Sequence, residues 1–404
     1  MHPRLQYPRT RRGAGAVITI LLIAGVLAGC AHDKGSASGS SPTNSTGTAA
    51  IVKEAQAAIA RASARYGTAQ LPDATPRPAA KDKTIAVIPN GMNNQSTAAQ
   101  VNGVLEACKA IGWRCLVLDG KSDPTTYAGL VRQAIAEKVD GIILSGIDCS
   151  SVAQPLSEAK SAGIPIVGDQ AFDCDLDGGT PMFSGSELDP NPQDPNGKPI
   201  DFKSYIQSFG RMRADAVIAG TNAHINLIAI TNTEAAVLRV QYSGFKSEIE
   251  RVPGAVISET QMRFTDLGPK LEVLGTSALL RNPQANALES PFDAVLTSGV
   301  ASAIVKSGRS GSLFVMGTEG IPAGLDLVRQ GVIGAEMYDP ASWHGWAAID
   351  VMNSVLTHTP IVNSGAGLLY VDKNHNLPGT PGTGIPDSAF PDFRSVYQKA
   401  WGVS

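Results

Sequence analysis

The sequence predicts an α/β protein of two doubly wound lobes, each with a parallel central sheet, joined by hinge strands. Three observations predict it. Short, continuously apolar runs such as Ile85-Ala86-Val87-Ile88 and Gly141-Ile142-Ile143-Leu144 recur along the chain. Stretches of helical spacing separate them, so the strands are covered on both faces and run parallel. The series breaks once, over an Asp-, Gly-, Pro- and Asn-rich stretch at 173–199, and then restarts. That is the pattern of two successive lobes.

The elements follow in order. Residues 31–50 are rich in Ser, Gly, Thr and Asn and read as a flexible tether. Residues 51–66 read as a short helix, and 71–83 as a Pro-rich, irregular lead-in. The first lobe begins with a strand at 85–88 and a helix at 96–111 that Gly112 is placed to end. A strand at 115–118, a helix at 124–138 with Pro124 at its start, and a strand at 141–145 come next. A helix at 151–162 and a strand at 164–168 complete this series. After the 173–199 loop come a helix at 202–220, a strand at 226–230, a helix at 234–250 and a strand at 255–261. A helical segment to about 280, a strand at 294–297, a helix at 300–307, a strand at 313–317 and a helix at 322–330 follow. The last elements are a short strand at 333–337, a long helix at 342–357 and a strand at 367–371. The expected division is 1–29 signal, 30–82 tether and lead-in, 83–172 plus 340–362 first lobe, and 173–339 plus 363–404 second lobe.

Composition narrows the function. The formal net charge of -3 offers no basic field for nucleic acid. There is no nucleophile elbow, no phosphate-binding loop and no Gly-rich dinucleotide turn after a strand, so no cofactor is expected. His224, His344 and His358 fall on or beside helices without a His partner four residues away, and His375 is on a loop. A His-based metal site is not expected. Cys108, Cys115, Cys149 and Cys174 allow three pairings. Cys108 lies late on a helix and Cys115 opens the next strand, while Cys149 and Cys174 each follow the end of successive strands. This favours Cys108–Cys115 and Cys149–Cys174, with free buried thiols as the alternative.

The N-terminus carries an address. Arg4, Arg9, Arg11 and Arg12 precede an apolar run at 16–28 that is too short to span a membrane. Leu27-Ala28-Gly29-Cys30 then resembles the lipobox of bacterial lipoproteins. The resemblance implies cleavage before Cys30 and acylation of its thiol, which would hold the protein to a membrane outside the cytoplasm. A secretory signal followed by a chance cysteine is the plainer alternative.

Several blocks then resemble the type 1 periplasmic binding proteins, the sugar-type solute-binding subunits of ABC importers. The blocks are 83–91 (KTIAVIPNG), 139–148 (VDGIILSGID), 162–169 (AGIPIVGD), 242–245 (YSGF), 292–295 (FDAV), 314–320 (FVMGTEG) and 328–334 (VRQGVIG). No single block is specific; their order and spacing after a lipobox are. The resemblance covers about 83–371. It implies a ligand held between two lobes, delivery to a permease, and a monomeric binding protein.

The resemblance places Asp148 where an aspartate accepts from sugar hydroxyls, and Arg239 where ribose-type members keep a ligand arginine. Glu319 replaces an aspartate, and Asp339 stands where Gln is common. Asn90 and Asn94 fall in the first loop, Asp169 and Gln170 in the loop at the first crossing. The asparagine expected after the 292–295 block is Gly299, which removes one polar contact. Phe172, Tyr338, Trp343 and Trp346 are the candidate aromatics for a sugar face. Hinge strands are expected near Gln170, Tyr338 and Gly365. Each residue also has a plainer reading: Asp148 as a helix cap, Arg239 as a surface pair, Trp343 and Trp346 as core. A sensor subunit for a receptor, or a surface enzyme on carbohydrate, are the alternative functions. The lipid signal stands where a repressor of this fold would carry a DNA-binding head.

Overall fold

The computed structural model describes residues 42–403. Cys30 and the 1–29 signal lie outside the described residues. Helix α1 (Pro42–Ser63) begins earlier than the expected 51–66, within the stretch read as tether. Its small apolar stripe of Val52, Ala55, Ala58 and Ala62 joins the hydrophobic core that also holds Phe202 and Ile206.

The first sheet takes β1 (Thr84–Pro89), β2 (Arg114–Val117), β3 (Gly141–Ser145), β4 (Ile166–Asp169) and β5 (Gly185–Ser186), all parallel, in the order β2-β1-β3-β4-β5. The intervening helices are α2 (Gln95–Ile111), α3 (Pro124–Ala136) and α4 (Cys149–Ser161). Local chemistry sets their ends. Asn94 accepts from the N–H groups of Ser96 and Thr97, and Gly112 takes the left-handed conformation that stops α2 (φ 85°). Asp123 caps α3 just ahead of Pro124. The 173–199 stretch, expected as a loop, holds β5 and a short antiparallel pair, β6 (Leu188–Pro190) with β7 (Pro199–Asp201).

The second sheet repeats the plan with α5 (Phe202–Thr221), β8 (Asn226–Thr231), α6 (Ala236–Ile249), β9 (Val256–Gln261), α7 (Pro269–Arg281) and β10 (Ala287–Glu289). It continues through α8 (Asp293–Val295), α9 (Ala301–Lys306), β11 (Phe314–Met316) and α10 (Pro322–Gln330). Its parallel strands run β11-β10-β8-β9. Read from its first strand, each sheet therefore has the same order. Helices α5 and α6 pack backbone to backbone: a Cβ on Gly210 would lie 1.9 Å from the Gln241 carbonyl oxygen.

One strand departs from expectation. Residues 294–297, expected as a strand, enter a helix, and the strand is β10, seven residues earlier. Ser290-Pro291 ends it, and the Asp293 carboxylate turns to accept from Thr318 and Ile321 N–H groups at 3.0 Å each. Gly299 lies in the helical turn that follows, beside Leu271 and Glu272.

The chain then returns. β12 (Glu336–Tyr338) pairs antiparallel with β13 (Leu369–Val371). Between them, α11 (Ala341–Thr357) crosses to the first lobe and packs with α2 over its sheet. Unexpected from sequence is α12 (Phe393–Trp401), which lies on the first lobe rather than with the second. Trp401 stacks on Trp346 with centroids 5.6 Å apart, and Phe393 on Trp343 at 4.3 Å. Helix α1 ends three residues before the expected 66, and the 71–83 lead-in is irregular, as expected, but fastened: Arg77 is buried against Asp350 at 3.1 Å and its N–H donates to Ala400. Both expected disulfides, Cys108–Cys115 and Cys149–Cys174, are formed. Among the described residues, no helix is long and apolar enough to cross a membrane.

Candidate functional site

The carboxyl ends of both sheets face one cavity of about 210 Å³. A crevice outside the strand ends is where open parallel sheets bind ligands. The first lobe contributes Asn90 after β1, Thr97 and Gln100 on the first turns of α2, Asp148 after β3 and Gln170 after β4. The second contributes Gln241 on α6, Phe264, Phe292, Thr318 and Glu319. Phe209 of α5 lines it as well, and Asp339 and His344 come from the crossing before and into α11.

Of the residues expected from sequence, the structure brings Asn90, Asn94, Asp148, Gln170, Glu319 and Asp339 to this lining. Asn90 accepts from the Thr97 hydroxyl at 3.1 Å. Asp148 occupies the position of a cap but does not cap its own helix. It accepts from the Phe172 N–H at 3.0 Å and the Ala236 N–H at 3.1 Å. Burial raises its pKa, with those two N–H groups and Arg239 working against the rise. Glu319 accepts from the Asp293 N–H at 3.1 Å and from the Ser96 side chain. Burial, then the neighbouring Asp293 charge, push its carboxyl up.

Six expected residues are not brought to the lining. Asp169 is wholly buried beneath it, where it accepts from Ser145 and Gln100 and so orients Gln100. Its carboxyl is pushed up to about 6 by burial, against both of those donors. Arg239 points to Asp177 at 3.0 Å. The Phe172 ring packs on Phe202 at 4.9 Å, because the backbone of residue 172 is turned to serve Asp148 and Cys149. Tyr338 stacks on Phe390 at 5.8 Å. Trp343 and Trp346 are core, held by the unforeseen α12.

Sequence reasoning missed Gln100, Gln241, Phe209, Phe264, Phe292 and His344. Phe292 stood inside a block already singled out, but the misplaced strand hid its position at a strand end. Gln241 directly precedes the 242–245 block. Two amide donors, Gln170 Nε2 and Gln241 Nε2, are buried at this cavity and have no partner among the described residues. Buried donors are rarely left so unless something else receives them.

The floor is a charged cluster. His344 lies between Glu187, at 2.7 Å from Nδ1, and Asp339, at 2.8 Å from Nε2, and the Tyr205 hydroxyl also donates to Asp339 at 2.8 Å. Burial opposes a charge on His344, but the two carboxylates outweigh it and raise its pKa well above the usual value. Glu187, Asp189 and His344 have the proximity of metal ligands. An imidazole held by carboxylates on both nitrogens keeps both protons and presents no lone pair to a cation. Cys149, Asp173 and Cys174 also cluster, but the two sulfurs are bonded to each other.

Two matching parallel sheets with a polar, aromatic-lined cavity at their facing edges define a two-lobed small-molecule binding protein. Residues 85–360 match the family described as periplasmic binding protein domain, and the chain belongs to that family. Its relatives include the D-apiose import binding protein of Paraburkholderia graminis, 22% identical over 66% of this chain and 78% of that one. Another is the ABC transporter periplasmic-binding protein YphF of Escherichia coli, 27% identical over 60% of this chain and 70% of that one. Among solved structures, an ABC transporter solute-binding protein from Agrobacterium vitis bound to α-D-tagatopyranose superimposes with a TM-score of 0.62. It is 19% identical and covers 72% of this chain and 95% of its own. One from Actinobacillus succinogenes with bound D-allose gives 0.59 at 20% identity, over 72% and 98% of the two chains.

Proposed function

We propose that this protein captures a neutral monosaccharide or sugar-like polyol outside the cytoplasm and delivers it to the permease of an ABC importer, while lipid on Cys30 keeps it at the membrane. The observation that carries the ligand class is the pair of unpartnered amide donors, Gln170 and Gln241, set among carboxylate acceptors and phenylalanine rings. A sugar ring offers hydroxyls that both donate and accept, around two apolar faces. Glu319 and Asp339 supply acceptors; Phe209, Phe264 and Phe292 supply apolar cover. Among the described residues, no Lys or Arg lines the cavity, which argues against phosphorylated or carboxylated sugars. The sugars named for the relatives support the same class.

The test is thermal stabilisation by a panel containing D-allose, D-tagatose, D-apiose, myo-inositol, a sugar phosphate and an amino acid. A ligand bound only by the native state raises the melting temperature. The expected result is a shift with one of the neutral sugars or polyols that Gln241→Leu removes. A shift with the sugar phosphate or the amino acid alone rejects the assignment. Mass spectrometry of the mature N-terminus reads the lipid on Cys30 directly.

A further inference from the structure

Helix α6 begins without a cap of its own. Its N-cap residue is Ala235, which has no side-chain acceptor, although the first N–H groups of any helix lack internal partners. The missing acceptor comes from the other lobe. Asp148 stands at the N-cap of α4, a position that suits aspartate, yet its side chain makes no capping bond to α4. One of its oxygens accepts from Phe172 in its own lobe, and the other accepts at 3.1 Å from Ala236, the first residue of α6. One turn further along α6, Arg239 pairs with Asp177 at 3.0 Å, again across the lobes. The two acids are tied to one another: Cys149 follows Asp148, Cys174 opens the turn that ends at Asp177, and the two cysteines are bonded.

We infer that Asp148 and Asp177, braced by the Cys149–Cys174 disulfide, form a latch. It caps α6 from the opposite lobe and sets how long the lobes stay together. The inference rests on the ligand-capture reading above. In it, Asp148 and Arg239 act by positioning the lobes, and Cys149–Cys174 is a functional bond where Cys108–Cys115 is structural. A carboxylate at a helix N-terminus gains from both hydrogen bonding and the helix dipole. On opening, water replaces each partner, so the contact is reversible.

Ala236→Pro tests it. Proline is well tolerated at the first position of a helix, and Ala235 already has the extended backbone (φ -105°, ψ 137°) that precedes proline. The change removes the N–H that meets Asp148 and spares the fold, which a melting curve checks. Small-angle scattering of the ligand-free protein is expected to show a larger radius of gyration for Ala236→Pro and for Cys149→Ala/Cys174→Ala. Cys108→Ala/Cys115→Ala is expected to match wild type. With a sugar found by the panel, dissociation is expected to be about tenfold faster in the first two variants. Scattering of Ala236→Pro that superimposes on wild type overturns the latch. A panel without any sugar response, alongside changed scattering, overturns the ligand class and leaves the latch standing.

Discussion

The two lobes share a strand order but are held together behind the cleft by different means. Behind the first edge lies a hydrogen-bonded network in which Asp169 receives both Ser145 and Gln100. Behind the second lies a group of buried acids, Glu289, Asp293 and Glu336, with the half-buried Glu319 beside them and Arg213 as their cation. Arg213 meets Glu289 at 3.1 Å, while its Nε and Nη1 have no hydrogen-bond partner among the described residues, and Glu336 shares a hydrogen bond with Asp293. Burial keeps Glu289 up at about 7 despite the arginine, and raises Glu336 well above the usual range. The Asp169 network is thus built on neutral donors, whereas the acids behind the second edge are set against a guanidinium and backbone N–H groups.

The largest effect is expected where that single cation is removed. Arg213→Met is expected to destabilise the second lobe by about 3–5 kcal/mol, because it strands buried carboxylates. Denaturant unfolding checks this. A change similar to that of an exposed arginine would mean that protons alone carry the second lobe.

The same difference gives the second lobe a pH dependence of known sign. Asp215 on α5 is pushed from 3.8 up to about 7, by burial first and by Glu248 next. An acid whose folded pKa exceeds its unfolded value binds more protons when folded. Stability therefore falls as pH rises from about 4 through 7, and is flat above. Asp215→Asn removes that cost. It is expected to stabilise the protein by on the order of 2 kcal/mol at pH 8 and by nothing at pH 3.5. Equal effects at both pH values would show that burial does not raise the Asp215 carboxyl and that it ionises in the folded protein as it does in the unfolded chain.

Legibility followed the same divide. In the first lobe, apolar strands with clear stops placed β1 to β4 and α2 to α4 to within a few residues, and Asn90, Asn94, Asp148 and Gln170 reached the cavity. In the second, β10 is three residues long and ends in Glu289, so a charge that is in fact paired with Arg213 disguised a buried strand. That slip carried Phe292 with it. Helix α12 escaped because its amphipathic face answers to Trp343 and Trp346, which are some fifty residues away in sequence. Arg239 was read as a ligand residue because position along the chain does not say which lobe a side chain faces.

The smallest effect belongs to the outer surface of the first lobe. Arg132 on α3 forms a two-pronged pair with Glu158 on α4, at 2.9 and 3.0 Å. The geometry is as good as that of the buried pair at Arg213, so the two differ mainly in solvent: the side chains here are 46% and 40% exposed. Water solvates either ion when the other is removed, and salt screens the attraction. Arg132→Ala is expected to leave stability almost unchanged, and to matter less still in 1 M salt. A loss approaching that of Arg213→Met would mean that packing of the arginine stem between α3 and α4, rather than its charge, fastens this face. Arg132→Met, which keeps the stem and drops the charge, would then restore most of the stability.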